Sequence, residues 1–154
     1  MSDLGNDPRL QKAVKGLRSL LDLTVRDIMQ TDIITLEADD LLATAARVMI
    51  ENKINGIVVM QGKKVYSVLS SWELLHSSYV ESFSDKMDYL KTPLKDLIEE
   101  PDYASLPPSA TLAQAVSIIA RNNQRTVPII DDGVLEGVIS VMDVMKAYDK
   151  MILQ

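Results

Sequence analysis

The sequence contains no cysteine and only one histidine, His76, among its 154 residues. The first absence excludes a disulfide scaffold, and both disfavour the usual nucleophile and metal sets, which need several Cys or His side chains. Aromatic residues make up only 5% of the chain, which leaves few rings to stack on nucleic-acid bases. Composition therefore favours binding over catalysis, although a site built from carboxylates alone stays open.

Positive charge is also scarce, because 22 acidic residues oppose 16 Lys and Arg and the formal net charge is −6. A negative chain repels a phosphate backbone, so we expect no nucleic-acid partner. No apolar run approaches the roughly 20 residues of a membrane helix. The first residues are acidic where a signal peptide would be basic. We therefore expect no membrane insertion and a cytoplasmic protein, with enough hydrophobic residues (47%) for a packed core.

The chain contains an internal repeat with a spacing of 70 residues. Similar residues recur along this register without a gap: Leu42 with Leu112, Ala45 with Ala115, Asn52 with Asn122, Val68 with Val138, Ser70 with Ser140, and Glu73 with Asp143. Upstream, Asp27-Ile28-Met29 matches Asp96-Leu97-Ile98 one position out of register. Each copy is too small to cover its own hydrophobic face, so we expect the two copies to pack together.

Each copy predicts the order β-α-β-β-α. The predicted elements, first and second copy together, are strands at 33–36 and 103–106, helices from 42 and 112, hairpins at 56–70 and 126–140, and helices from 71 and 141. Asn52 and Asn122-Asn123 suit the left-handed turn that ends a helix. The fold class is therefore α+β, with two tandem units packed as a pseudo-twofold pair and an N-terminal helix.

The N-terminal helix is predicted over about residues 8–23. Its apolar residues Leu10, Val14, Leu17 and Leu21 recur at helical spacing. Packing on the module or on a second subunit is favoured over a membrane surface, because the helix has no aromatic anchor.

The segment between the copies is predicted to extend the last helix of the first unit. Val80, Phe83, Met87 and Leu90 supply its apolar positions, and Pro93 ends it. The predicted division of the chain is 1–24 for the N-terminal helix, 25–90 for the first unit with this linker helix, and 91–154 for the second unit.

Three stretches resemble the CBS domain, the repeat named after cystathionine β-synthase: Val25 to Met29, Gln124 to Asp131, and Leu135 to Asp143. The resemblance covers roughly residues 25–150. It implies two CBS repeats with clefts between them that, in many relatives, bind AMP, ADP, ATP or S-adenosylmethionine. It further implies a regulatory module with no catalysis and no required cofactor, a homodimer, and a regulated protein partner.

The resemblance places the ligand at Ser140 and Asp143, where the hydroxyl faces a phosphate and the carboxylate accepts bonds from ribose hydroxyls. A strand that ends at a helix N-terminus offers free N–H groups to a phosphate. The alternative is that Ser140-x-x-Asp143 is only a helix capping box, which Ser70 and Glu73 fit even better. The other ligand-binding positions carried over from the family are Ile139, Thr126, Val127, Pro128 and Thr35.

The first copy departs from the family pattern in three places. Val58 replaces the proline, Ser67 replaces the glycine, and Glu73 replaces the aspartate. Glu is one methylene longer and would overshoot the diol, so Ser70 and Glu73 are predicted to form a weaker second site. Pro128 removes a ladder donor, which predicts that its strand is an edge or carries a bulge.

The remaining candidates have ordinary structural explanations. His76 is expected to be a surface or packed residue. The acidic pairs Asp39-Asp40, Glu99-Glu100 and Asp131-Asp132 fall in turns and helix starts, where acids are common, so Mg²⁺ is not expected there. Two other functions remain: a ligand-free module that dimerises or docks on an enzyme, channel or transporter and, least favoured, a carboxylate-dependent enzyme.

A homodimer is expected because a lone pair of units would leave apolar helix faces partly uncovered. The residues expected on those faces are Leu42, Met49, Leu75, Leu112, Ile119 and Met145.

Overall fold

The structure, a computed structural model, describes residues 4–82 and 88–154. Its main elements in chain order are α1 (Pro8–Asp22), α2 (Val25–Ile28), β1 (Thr35–Glu37), α3 (Leu42–Asn52), β2 (Gly56–Gln61), β3 (Lys64–Ser70), α4 (Ser71–Glu81), α5 (Leu94–Leu97), α6 (Leu112–Asn122), β4 (Thr126–Asp131), β5 (Val134–Ser140) and α7 (Val141–Tyr148). Short 3₁₀ turns cover Leu4–Asn6 and Tyr89–Lys91, and a π-helical turn covers Asp149–Leu153. Two α+β units in tandem are therefore present, as the sequence predicts.

The two units differ in their first strand. In the first unit, β1 pairs in parallel with β2, and β2 pairs antiparallel with β3. In the second unit, the predicted strand at 103–106 is reduced to one bridge between Leu106 and Ile129, which leaves a two-stranded sheet of β4 and β5. In the first unit the Ala38 N–H donates to the Met60 carbonyl at 2.8 Å, and Pro108 occupies the position of Ala38 in the repeat register. Because proline has no N–H to donate, this bond cannot form in the second unit and the strand ends early.

Pro128 lies on the outer edge of β4. Its carbonyl accepts a hydrogen bond from the Leu106 N–H, so its own nitrogen also faces away from β5 and no β4–β5 bond is lost. A register shift follows at Ile129 and Ile130. The prediction that this strand is an edge or carries a bulge is therefore confirmed. The first unit has the same irregularity beside Val58, however, so the proline is not its cause.

Each hydrophobic core is completed by the segment that precedes the other unit. Val25 and Met29 pack into the core of the second unit, whereas Leu94 and Leu97 pack into the core of the first. An isolated β-bridge fixes each of these segments on the unit that it completes. One bridge joins Gln30 to Val138, and the other joins Pro93 to Leu41. The division of the chain into 1–24, 25–90 and 91–154 therefore stays a prediction about sequence segments. The packed cores do not follow it, because each contains residues from more than one segment.

Helix α1 covers nearly the predicted range and packs on α6, α7 and the C-terminal π-helical turn. Its buried residue is Leu20. Three members of the predicted apolar stripe are 41–42% exposed, namely Leu10, Val14 and Leu17. A Cβ at Gly16 would be in ordinary contact with the π-helical turn. The helix therefore packs on the module as expected, but through a different face.

Left-handed residues end α3 and α6. Asn123 has φ 52°, which confirms the expectation for Asn122-Asn123. In the first unit the left-handed residue is Lys53, with φ 54°, so the prediction for Asn52 is wrong by one position. The Asn52 amide instead donates to the Val48 carbonyl at 2.8 Å, inside the helix.

Helix α4 ends at Glu81, and residues 89–91 form a separate 3₁₀ turn that contains Leu90. Phe83 and Met87 of the predicted linker helix lie outside the described residues. Within 4–82 and 88–154, no helix is long and apolar enough to cross a membrane.

Candidate functional site

A cavity of about 510 Å³ lies between the two units, where the start of β2 faces β4 and α7. Small-molecule pockets have volumes of about 300–1,000 Å³, and the volume of this cavity lies within that range. Both units and the segment before β1 supply its walls. Its polar lining includes Gln30, Asp32, Asn55, Thr126, Ser140 and Asp143.

Asp143 lies in the first turn of α7 and is 8% exposed. Its Oδ2 accepts hydrogen bonds from the Ser140 N–H at 2.8 Å and from the Ser140 hydroxyl at 3.0 Å. The Asp143 N–H donates to Ser140 Oγ at 3.4 Å. Ser140 and Asp143 thus form a complete capping box. Since this carboxylate also borders the cavity, one pair of residues can cap the helix and meet a ligand.

Gln30 is a site residue that the sequence analysis missed. Its Nε2 donates to Asp143 Oδ1 at 2.9 Å. Two backbone bonds with Val138, at 2.8 and 3.0 Å, fix Gln30 beside β5 and bring its side chain to α7. The contact joins residues 113 positions apart, so no local spacing announces it.

Three cationic side chains also border the cavity, and the sequence analysis named none of them as ligand residues. Lys53 ends α3, Arg125 precedes β4, and Lys146 lies one turn beyond Asp143 on α7. Within the two described ranges, none of the three forms an ion pair. With Asp32 and Asp143 as the opposing carboxylates, the lining has a formal charge of +1 in a chain of −6. This local excess favours an anionic ligand.

Strand alternation separates the predicted ligand residues into two groups. Thr126 pairs with Ser140 across the hairpin, and both border the cavity. The next pair, Val127 and Ile139, points to the opposite face and is fully buried in the core. Four of the seven predicted positions do not line the cavity: Val127, Ile139, Pro128 and Thr35.

Gly56 and Thr126 occupy equivalent positions in the repeat and lie against each other. A Cβ at Gly56 would collide with Thr126 Oγ1 and lie 3.0 Å from Thr126 Cβ. The two units can approach this closely because only one of the two positions has a side chain. This contact forms part of the cavity wall, since both residues line it.

An open groove of about 440 Å³ beside α4 contains part of the region of the first unit that is equivalent to the cavity, and its lining includes Glu73 but not Ser70. Its charged lining consists of Glu73, Glu99 and Glu100, and His76 also borders it. With the histidine neutral, the formal charge is −3. Within the described ranges, no group of three Asp, Glu, His or Cys side chains is placed to hold a metal ion.

The cap at the start of α4 differs from the cap of α7. Ser70 Oγ accepts from the Glu73 N–H at 3.1 Å, and its hydroxyl donates to Glu73 Oε1 at 3.2 Å. Glu73 is an exposed residue, but partial removal of its carboxyl from water raises the pKa of Glu73. The better capping box was expected here, but the complete box is at Ser140 and Asp143, where the shorter carboxylate reaches the serine N–H.

His76 is exposed, with its ring centroid 6.0 Å from that of Trp72. The expectation of a surface residue is confirmed.

Helices α4 and α7 leave apolar side chains exposed beside the two clefts. The side chains that are 38–64% exposed are Trp72, Leu75, Tyr79, Val80, Val141, Met142 and Met145. Leu75 and Met145 were expected among them. Leu42, Met49 and Leu112 were expected to be partly uncovered, but they are at most 5% exposed because α3 and α6 turn these residues into the cores.

The CBS domain family matches residues 25–79 and 94–150, which is more than half of the chain. The chain therefore belongs to the CBS domain family, and its two units form a CBS domain pair. The crossing of the cores and the cleft between the units are features of this pair.

Solved structures show the same fold at low sequence identity. A CBS-domain-containing protein of Agrobacterium tumefaciens has a TM-score of 0.71 and 22% identity, over 82% of this chain and 94% of that chain. CBSX2 in complex with AMP has a TM-score of 0.68 and 22% identity, over 83% and 97%. The CBS domain pair of protein MJ0100, in complex with methylthioadenosine and S-adenosyl-L-methionine, has a TM-score of 0.69 and 16% identity, over 82% and 96%.

Two curated relatives are much longer enzymes. An A-adding tRNA nucleotidyltransferase of Aquifex aeolicus is 28% identical over 90% of this chain and 16% of its own length. A homoserine O-acetyltransferase of Methanosalsum zhilinae is 25% identical over 73% of this chain and 21% of its own length. The chain thus spans about a fifth or less of each, and similar sequences occur as segments of larger enzymes.

Proposed function

We propose that this chain is a cytoplasmic regulatory CBS module that binds an adenosine nucleotide in the cavity at Ser140 and Asp143 and performs no catalysis. One observation carries the proposal: a single cavity joins a carboxylate, a helix N-terminus and three cations that have no ion-pair partner in the described residues. A nucleotide can use all three kinds of group. Its ribose diol donates to a carboxylate, and its phosphate is favoured by helix N–H groups and by positive charge.

The roles follow from position. Asp143 accepts hydrogen bonds from the ribose hydroxyls. Ser140 and the start of α7 face the phosphate, since the free N–H groups of a helix N-terminus favour an anion. Lys146, one turn further along α7, and Arg125 are close enough to the same region to add positive charge.

Two structural neighbours support the adenosine part of this proposal. CBSX2 was solved with AMP, and the MJ0100 pair was solved with methylthioadenosine and S-adenosyl-L-methionine. Those ligands share an adenosine group and differ in charge. The cationic lining of this cavity favours the phosphorylated ligands among the candidates, AMP, ADP and ATP.

Calorimetry with AMP tests the proposal. Asp143→Ala removes a charged acceptor, so AMP binding should weaken about tenfold or more, and Asp143→Asn should lose less. Glu73→Ala, at the equivalent position of the other unit, is the matched control and should leave the affinity nearly unchanged. If Asp143→Ala melts earlier but binds AMP as before, Asp143 is only a cap and the ligand assignment is wrong.

The exposed faces of α4 and α7 support a homodimer. Each of the two helices exposes several large apolar side chains, and exposed apolar patches are typical of an interaction site. Light scattering at tens of micromolar should give the mass of a dimer, and Leu75→Glu with Met145→Glu should give a monomer. A monomer mass for the unchanged protein would contradict the dimer.

Docking on a regulated protein without any ligand is the second candidate. The two long enzymes that contain similar segments favour it. This function predicts no binding of AMP, ADP, ATP or S-adenosylmethionine in a thermal-shift panel, whereas a nucleotide-binding module predicts a clear rise in melting temperature with at least one of them.

A further inference from the structure

The carboxylate of Asp143 has almost no free acceptor capacity. A carboxylate offers about four lone-pair positions. Oδ2 already accepts two donors, the N–H and the hydroxyl of Ser140, and Oδ1 accepts the amide of Gln30. One position on Oδ1 remains open. A ribose with both hydroxyls brings two donors, so one of the existing donors has to leave.

We infer that Gln30 is a latch on Asp143, which a ribose diol must displace, and that it thereby sets the affinity of the site. The inference rests on the proposed function. It adds a residue outside the three stretches that resemble the family, and it makes the free energy of nucleotide binding depend on a hydrogen bond within the protein.

Gln30 is the donor that yields, because the two groups of Ser140 keep their positions beside Oδ2. The Ser140 N–H belongs to the backbone where β5 meets α7. The Ser140 hydroxyl hydrogen can rotate toward a phosphate, but its oxygen still accepts from the Asp143 N–H and stays 3.0 Å from Asp143 Oδ2, where it occupies the place of a second ligand hydroxyl. The Gln30 side chain has several rotatable bonds, and the residue is exposed although its bond to Asp143 is part-buried. Its backbone stays bridged to Val138 when the side chain turns away.

The first unit provides an internal contrast. In the upstream register Gln30 corresponds to Glu99, and Asp143 corresponds to Glu73. Glu99 and Glu73 both border the groove beside α4. Two ionised carboxylates cannot form this bond because neither is a donor. The latch is therefore specific to the cavity of the second unit, and Glu99 is a matched position for a control.

The test uses calorimetry with AMP and with 2′-deoxy-AMP on the full chain. Gln30→Met keeps the length of the side chain and removes its donor, and Gln30→Ala removes the whole amide. Both variants should bind AMP about three- to tenfold more tightly than the unchanged protein, because the ligand no longer competes with an internal hydrogen bond. The deoxy ligand has one hydroxyl for the open position, so its affinity should change little. Glu99→Ala should alter neither affinity.

Three other outcomes overturn the latch. Equal or weaker AMP binding by Gln30→Met would mean that the amide orients the carboxylate or contacts the ligand. Equal gains for AMP and 2′-deoxy-AMP would mean that the amide blocks the cavity without competing for the diol. In both cases the proposed function survives. If neither the unchanged protein nor either variant binds AMP, the proposed function and the latch fail together. Binding detected only in the Gln30 variants would support both.

Discussion

In both CBS units a hairpin leads into a helix whose first turn carries a carboxylate. The units differ in the charges around that carboxylate and in the hydrogen bonds that it accepts. At the cavity, the lining is cationic overall, and a short carboxylate is bonded on both oxygens. At the groove, a longer carboxylate lies beside Glu99 and Glu100. A duplicated fold therefore leads to two different sites through a few substitutions at equivalent positions.

The difference starts in the packing against the last strand of each unit, which is β3 in the first unit and β5 in the second. Gly137 of β5 allows Met29 and Gln30 to lie close to the strand, since a Cβ there would be 2.7 Å from Met29 Sδ and 2.9 Å from the Gln30 carbonyl oxygen. The equivalent residue of β3 is Ser67, which is buried. The close approach at Gly137 is what positions Gln30 for Asp143.

The largest effect is expected on stability, when the close approach of residues 29–30 to β5 is disturbed. Gly137→Ala should destabilise the protein by about 2 kcal/mol, because overpacking against backbone leaves little room for relaxation. Chemical denaturation measures the loss. Ser67→Ala, the matched change on β3, should cost clearly less. Equal losses in the two variants would show that the segment at residues 29–30 is not packed more tightly than its counterpart.

A smaller effect is expected when the charge difference is reduced. His76 and Lys146 are equivalent in the repeat register. Lys146→Glu should weaken AMP binding about tenfold and Lys146→His about threefold, since an exposed charge is partly screened by water. His76→Lys should leave the affinity of the cavity unchanged. Calorimetry at two salt concentrations checks the cause, because the loss should shrink at high salt.

The parts of the molecule that follow from local pattern were predictable. Helical spacing and the hairpin turns located α3, α6 and the two hairpins, and the register between copies located the cap residues Ser140 and Asp143. The exchange of Val25 and Leu94 between the cores could not be found in this way, because each segment packs against residues far along the chain.

The candidate site was predictable only in part for the same reason. Thr126, Ser140 and Asp143 belong to motifs, whereas Gln30 and Lys53 reach the cavity through the packing of one unit on the other. Lys146 lies one turn beyond Asp143 on α7, so helical spacing could have located it. Val127 and Ile139 were predicted as ligand-binding residues because they lie within continuous stretches that resemble the family. In a strand, however, successive side chains alternate between faces, so neighbours of a site residue lie in the core.

The smallest effect concerns Glu73, whose pKa is raised by partial desolvation of its carboxyl. A raised pKa means that the folded state binds this proton more tightly than the unfolded state. The resulting stabilisation is therefore complete below the ordinary pKa of a glutamate and is lost as the pH rises through the higher, folded-state value.

Glu73→Gln keeps an oxygen that can accept from Ser70 and removes the charge. It should stabilise the protein at neutral pH by no more than about 0.5 kcal/mol, and the gain should vanish towards acid pH. Urea unfolding of both proteins across that range measures the difference, and a gain that grows on acidification would mean that the Glu73 carboxylate is stabilised in the folded state. The groove would then be better suited to a charged acceptor than its lining indicates, and the contrast with Asp143 would be weaker.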